Sequence, residues 1–311
     1  MKHCTNLKTE TAVSADNQSE DNVMKKRIIT AVVLLAVLAL VVWQINTPLF
    51  VAVIAFLSAV AANEIMKCAN VKNKFIVITG TAFAAAVPFF ASAKVLLPFV
   101  DTEPWSNVIN SVPQVVYIIV LVLAFLLAML KGYSHTKFED VAIAVFASVL
   151  VPYGFSVFVR LRDMFVNEQF GIYLIFFGLI CALGTDSGAQ LGGMAFGKHK
   201  MSPNISPKKT IEGAVCGILF SMILNGAAIA LYNAFADTKL ELSTMVILLV
   251  CCVPISFMGM MGDLSASVLK RNFGVKDFGK IFPGHGGVMD RFDSSLFTIP
   301  LTYAVALVAF A

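Results

Sequence analysis

The sequence predicts an all-α, polytopic membrane protein of about nine transmembrane helices, with the site of its chemistry opening at the cytoplasmic face. The 311 residues are 58% hydrophobic and only 14% charged. Their apolar residues fall in runs long enough to cross a hydrocarbon core of roughly 30 Å. The charges gather in the gaps between the runs, mostly on one side.

Residues 1–24 are polar, rich in Ser, Thr, Asn, Asp and Glu, and lack a periodic apolar face, so a disordered tail is expected. Lys25, Lys26 and Arg27 then precede an apolar run from Ile28 to Trp43. No small-residue cleavage site follows it, which favours a retained first helix over a signal peptide. Apolar segments follow at about 28–46, 48–66, 75–99, 112–131, 138–159, 171–195, 211–235, 243–266 and 294–311. The tight connection Asn46 to Pro48 makes a helical hairpin of the first two, and Pro254 bends the eighth. Residues 25–170 are expected to form an amino-terminal helical region, and 171–311 a carboxy-terminal one, the candidate for chemistry, containing a polar loop at 263–293. The six cysteines have no metal-type or disulfide-type spacing and are expected to be small buried residues. No internal repeat of the inverted-transporter kind is visible.

Topology follows from the lysines and arginines. With the amino terminus inside, only Lys94, Arg160, Arg162 and Lys239 of the 23 fall on the outer side, where Asp101, Glu103, Asp237 and Glu241 also lie. This asymmetry obeys the positive-inside rule and places the loops after segments six and eight at the cytoplasmic face.

Those two loops hold the chemistry. Between Asp263 and Asp293 stand four acids, five bases and His285, with the turn Pro283-Gly284-His285-Gly286-Gly287 among them. A basic loop touching anionic head groups explains the bases but not Asp290-Arg291-Phe292-Asp293 at the mouth of segment nine. Carboxylates beside bases suit a magnesium nucleotide: hard oxygens hold the metal, cations hold phosphates, and glycines let backbone amides approach. The other block contains Thr185-Asp186-Ser187-Gly188, then Phe196-Gly197-Lys198-His199-Lys200, then Ser206-Pro207-Lys208-Lys209-Thr210. Asp186 lies within segment six, where a carboxylate faces the bundle interior and marks either a site or a buried partner. Ser206-Pro207 reads as an N-cap with Pro at the first helical position, turning the amides of segment seven toward an anion. Glu64 either faces the site, pairs with a lysine or reaches the interface. Arg160 and Arg162 are open to a segment that dips back inward. The chain has no Walker A sequence, dinucleotide fingerprint or Ser/His/Asp order, which argues against a soluble-type ATPase or serine hydrolase.

Taken together, Ser267-x-Leu269-Lys270-Arg271, Lys276-Asp277-x-Gly279, Pro283-x-His285-Gly286-Gly287 and Asp290-Arg291-x-Asp293 resemble the signature of the phosphatidate cytidylyltransferase (CDP-diacylglycerol synthase) family. Asp186-x-Gly188-Ala189 and Ser206-Pro207-Lys208-Lys209-Thr210-x-Glu212-Gly213 resemble its other characteristic stretch. Two departures occur there: Gln190 stands where an aromatic is usual and Ile211 where tryptophan is usual. The specific motifs cover roughly the last 140 residues.

The resemblance implies the reaction of CTP with phosphatidate to give CDP-diacylglycerol and diphosphate, in phospholipid biosynthesis. It implies Mg2+ held by the acids matching Asp263 and Asp290, and allows a second cation such as K+ beside it. Asp186 and Asp293 are the next metal candidates. Lys270, Arg271, His285 and Arg291 join Asp263 and Asp290 as expected catalytic residues, with His285 a phosphate donor or loop organiser. Ser206, Lys208, Lys209, Lys276, Gly286 and Gly287 are expected to bind substrate phosphate. The partners are then CTP, phosphatidate and the lipid bilayer, with no nucleic acid, and a homodimer is allowed. Length and the lack of organelle-targeting features favour a bacterial inner membrane. The rival readings are a CTP-dependent enzyme on another lipid phosphate or alcohol, such as an archaeol phosphate cytidylyltransferase or polyprenol kinase, and a non-enzymatic transporter or lipid-binding protein.

Overall fold

The structure, a computed structural model, describes residues 39, 41–92, 114–165, 168–203, 205–236, 238–282 and 286–310. The amino-terminal tail, most of the first apolar segment, and Lys94, Asp101, Glu103, Asp237 and His285 lie outside these residues.

Every apolar segment from the second onward is helical where described. They are α1 (Pro48–Cys68), α2 (Lys74–Ala91), α3 (Gln114–Lys131), α4 (Phe138–Val145) continuing into α5 (Val151–Asp163), α6 (Glu168–Phe196), α7 (Ile211–Phe235), α8 (Leu242–Asn272), the short turn α9 (Met289–Phe292) and α10 (Ser295–Ala309). Among the described residues six helical stretches are long and apolar enough to cross a membrane, and two shorter apolar helices, Val115–Lys131 and Ser295–Ala309, accompany them. Proline sets two local details. Asn46-Thr47-Pro48 turns the chain into α1, with Pro in the first helical turn. The π-helical turn Phe146–Leu150 joins α4 to α5 just before Pro152, which has no N–H to continue the ladder.

Three expectations need correction. The chain is not wholly α: Lys200–Ser202 (β1) and Ser206–Thr210 (β2) form an antiparallel hairpin, with Lys200 opposite Thr210 and Ser202 opposite Ser206. Ser206-Pro207 therefore does not cap segment seven. A residue before proline is driven toward extended backbone, so Ser206 enters a strand. Thr210 is the N-cap instead, its hydroxyl accepting from the Gly213 amide at 3.1 Å. The polar loop expected at 263–293 also begins inside a helix, because α8 runs to Asn272. Asp263 and Lys270 are thus seven residues apart on one helical face.

Close helix approach places the site. Gly188, Gly213 and Gly217 let α6 and α7 meet backbone to backbone. A Cβ at Gly188 would lie 2.6 Å from the Phe220 Cβ, and one at Gly217 2.5 Å from the Thr185 carbonyl. Small residues at this spacing drive helix association where lipid offers no hydrophobic gain. Gly178 admits Ile299 of α10 against α6, while Gly259 and Gly262 admit Thr298 and the Asp293 carbonyl against α8. Three helices therefore converge where α10 begins. At another edge Arg162, buried at the end of α5, donates to the Ile45 and Thr47 carbonyls at 3.1 and 3.4 Å and to Ser92 at 3.2 Å, and pairs with Asp163 at 2.8 Å. It stitches helix ends together rather than joining the site.

Candidate functional site

Where α6, α8 and α10 meet, three of the expected acids come together. The Ser294 hydroxyl donates to Asp186 at 3.3 Å, and the Ser294 amide to Asp293 at 2.8 Å. Asp263, on α8, acts electrostatically on both. Burial, and then the negative charge of Asp263, push the Asp293 carboxyl up to about 7. Lys209 answers part of this charge from strand β2 by pairing with Asp263. Asp186, Ser206, Lys208, Lys209, Thr210 and Asp263 line a cleft of about 370 Å³, which the hairpin walls on one side. Lys208 is exposed at that wall.

A second cluster surrounds Asp290. Its Oδ1 pairs with Lys270 at 2.8 Å, and its Oδ2 accepts from the Phe278 and Gly287 amides at 2.8 and 2.9 Å. The Lys270 ammonium also lies over the Phe278 ring, 5.3 Å from its centroid. Lys270 links the two clusters, since it shares a helix with Asp263 and its charge also acts on Asp293. The Gly287 amide, expected to bind substrate phosphate, is engaged by Asp290. Gly286 adopts φ +86° and its carbonyl accepts from the Phe282 amide, closing the turn. Arg271 turns back to cap its own helix end, donating to the Val275 carbonyl at 3.3 Å. Lys276 and Arg291 are exposed. His285 lies outside the described residues.

The residue whose place the sequence left open is Glu64. It is buried, and its two oxygens accept from the Val288 and Met289 amides at 3.1 and 3.0 Å. The one signal that pointed to it was a carboxylate inside an apolar segment.

Carboxylate oxygens are hard donors, the chemical type a divalent cation such as Mg2+ takes. The two acids expected to hold it, Asp263 and Asp290, are each paired with a lysine ammonium. Among the described residues no three His, Cys, Asp or Glu side chains are grouped closely enough to enclose one ion. Mg2+ commonly takes one or two carboxylates from a protein and completes its shell with substrate phosphates and water.

Comparison with known proteins completes the picture. The profile of the Cytidylyltransferase family matches residues 25–309. The chain is 30% identical over 280 residues to a phosphatidate cytidylyltransferase of Bacillus subtilis, covering 90% of this chain and 96% of that one. It is 34% identical over 279 residues to the phosphatidate cytidylyltransferase of Staphylococcus epidermidis, covering 89% of this chain and 97% of that one. It is also 33% identical over 278 residues to that of Staphylococcus aureus strain COL, with the same two coverages of 89% and 97%. The match takes in the amino-terminal helices as well as the two polar blocks: the chain belongs to the cytidylyltransferase family.

Proposed function

We propose that the chain is a phosphatidate cytidylyltransferase, converting CTP and phosphatidate to CDP-diacylglycerol and diphosphate at a membrane surface. The observation that carries this reading is the cleft in which Asp186 and Asp263 face Lys208 and Lys209, in a chain whose relatives bear that name.

An oxygen of the phosphatidate phosphomonoester, already anionic at neutral pH, attacks the α-phosphorus of CTP in line. The bond from that phosphorus to the bridging oxygen breaks, and diphosphate leaves with the electron pair. The nucleophile needs no strong general base. The barrier to be lowered is the meeting of two anions in one orientation, so positioning and charge neutralisation dominate. Lys208 extends from the hairpin wall toward the phosphates, and Ser206 offers a hydroxyl beside it. Lys209 and Lys270 hold the Asp263 and Asp290 carboxylates and add positive charge where phosphate arrives. Asp263 and Asp290 are the residues that would hold Mg2+, with Asp186 and Asp293 the next candidates, and the cation when bound would supply charge neutralisation on the phosphate oxygens. The distribution of lysine and arginine supports a first span at 28–46 and an amino terminus and cleft on the cytoplasmic side, and the bacterial origin of the relatives supports a bacterial membrane.

The deciding experiment incubates purified protein with labelled CTP, phosphatidate and Mg2+ and follows both products. Equimolar CDP-diacylglycerol and diphosphate is the expected result. A phosphorylated lipid with CDP would instead identify a kinase, and absence of both products across several lipid phosphates would sink the enzyme reading.

A further inference from the structure

We infer that Glu64 is a positioning residue: its carboxylate, supplied by the amino-terminal half of the chain, holds the turn that carries Asp290. Its effect on turnover rests on the function proposed above, whereas its placement does not.

A carboxylate in an apolar helix is costly unless its oxygens are satisfied. Glu64 is 6% exposed, and both oxygens receive backbone amides, one from Val288 and one from Met289. These amides open the short turn Met289–Phe292, where no residue of the turn itself can accept from them. The preceding amide, Gly287, goes to Asp290. Three consecutive N–H groups are therefore divided between Glu64 and Asp290, and the backbone that Glu64 grips is the backbone that sets the Asp290 side chain against Lys270. A second tie lies one turn further along α1, where the Cys68 thiol donates to the Phe278 carbonyl at 2.9 Å.

The glycines record the same fit. A Cβ at Gly279 or Gly287 would fall on the Glu64 carboxylate. Their lack of a side chain is thus required by close approach of an acid from another part of the chain. Glutamine could not substitute freely, because its carboxamide has one acceptor oxygen and would turn an NH2 toward one of the two amide donors. Aspartate keeps both acceptors and loses reach.

The test measures amide hydrogen exchange over residues 286–292 together with initial rates, in purified Glu64→Gln, Glu64→Asp and parent protein. For Glu64→Gln, exchange at Val288 and Met289 should quicken by at least about tenfold, while peptides of α7 keep their parental rates. A displaced Asp290 should lower kcat by up to about 100-fold with KM for CTP nearly constant, and Glu64→Asp should recover part of that loss. Parental exchange over 286–292 in Glu64→Gln would overturn the placement. Faster exchange with parental kcat would overturn the positioning role. If Glu64→Gln does not fold, Gly279→Ala displaces the same carboxylate, and faster or parental exchange over 286–292 decides in the same way. A parent protein that exchanges as expected but makes no product would count against the proposed function and leave the Glu64 placement standing.

Discussion

At the scale of single residues, the site is a set of carboxylates each given a different neighbour. Asp290 is locked by Lys270 and two amides, so Asp290→Asn should remove an ion pair and the proposed cation ligand while keeping one acceptor for the turn. Turnover should fall by at least about 100-fold, with the protein still extracted folded, which initial-rate and size-exclusion measurements check. Asp293 behaves differently because burial and Asp263 raise its carboxyl from 3.8 to about 7. A carboxyl raised in the fold contributes stability below its unfolded value and loses it as pH climbs through the folded one. A divalent cation competing for that carboxylate reverses the sense. Mg2+ affinity, followed by calorimetric titration, should therefore rise by up to about tenfold per pH unit below about 7 and level off above it. Asp293→Asn should flatten that slope.

At the scale of elements, packing along the glycine rows of α6, α7 and α8 determines which side chains meet. Gly217→Leu would force a branched side chain against the Thr185 carbonyl and Ala189, next to Asp186. Overpacking of this kind typically costs about 1–3 kcal/mol. Thermal unfolding in detergent should show the loss, and activity should fall with it because the hairpin hangs between these two helices. Thr210→Ala is the milder probe of the same junction. It removes the cap on the Gly213 amide, worth about 1 kcal/mol, and should lower the unfolding midpoint without abolishing turnover.

At the scale of the whole molecule, the cleft and the Asp290 cluster belong to the carboxy-terminal part of the chain, yet α1 reaches across to hold the Asp290 cluster through Glu64 and Cys68. The two halves are therefore coupled, and the boundary at residue 170 is not expected to separate independently active parts. Orientation can be tested directly. In a variant with its native cysteines replaced by serine or alanine, single cysteines at Lys72, Lys137 and Lys200 should react with a membrane-impermeant maleimide in inverted vesicles and stay protected in intact cells. One at Lys239 should show the reverse.

The sequence alone determined the helical segments, since runs of apolar residues long enough for a bilayer leave little else to form, and it determined the family, since the spacing of Lys270, Asp290 and their neighbours is specific. It also brought forward Asp186 and Asp263 as site residues, because charge near bilayer depth is costly without a use. What it could not determine was pairing across distance. The β1–β2 hairpin, the pairing of Lys209 with Asp263 and the reach of Glu64 to Val288 and Met289 depend on which backbones approach one another. Only the tertiary structure decides that, because a buried carboxylate takes whichever amides the fold brings within reach, and these lie more than 220 residues away along the chain.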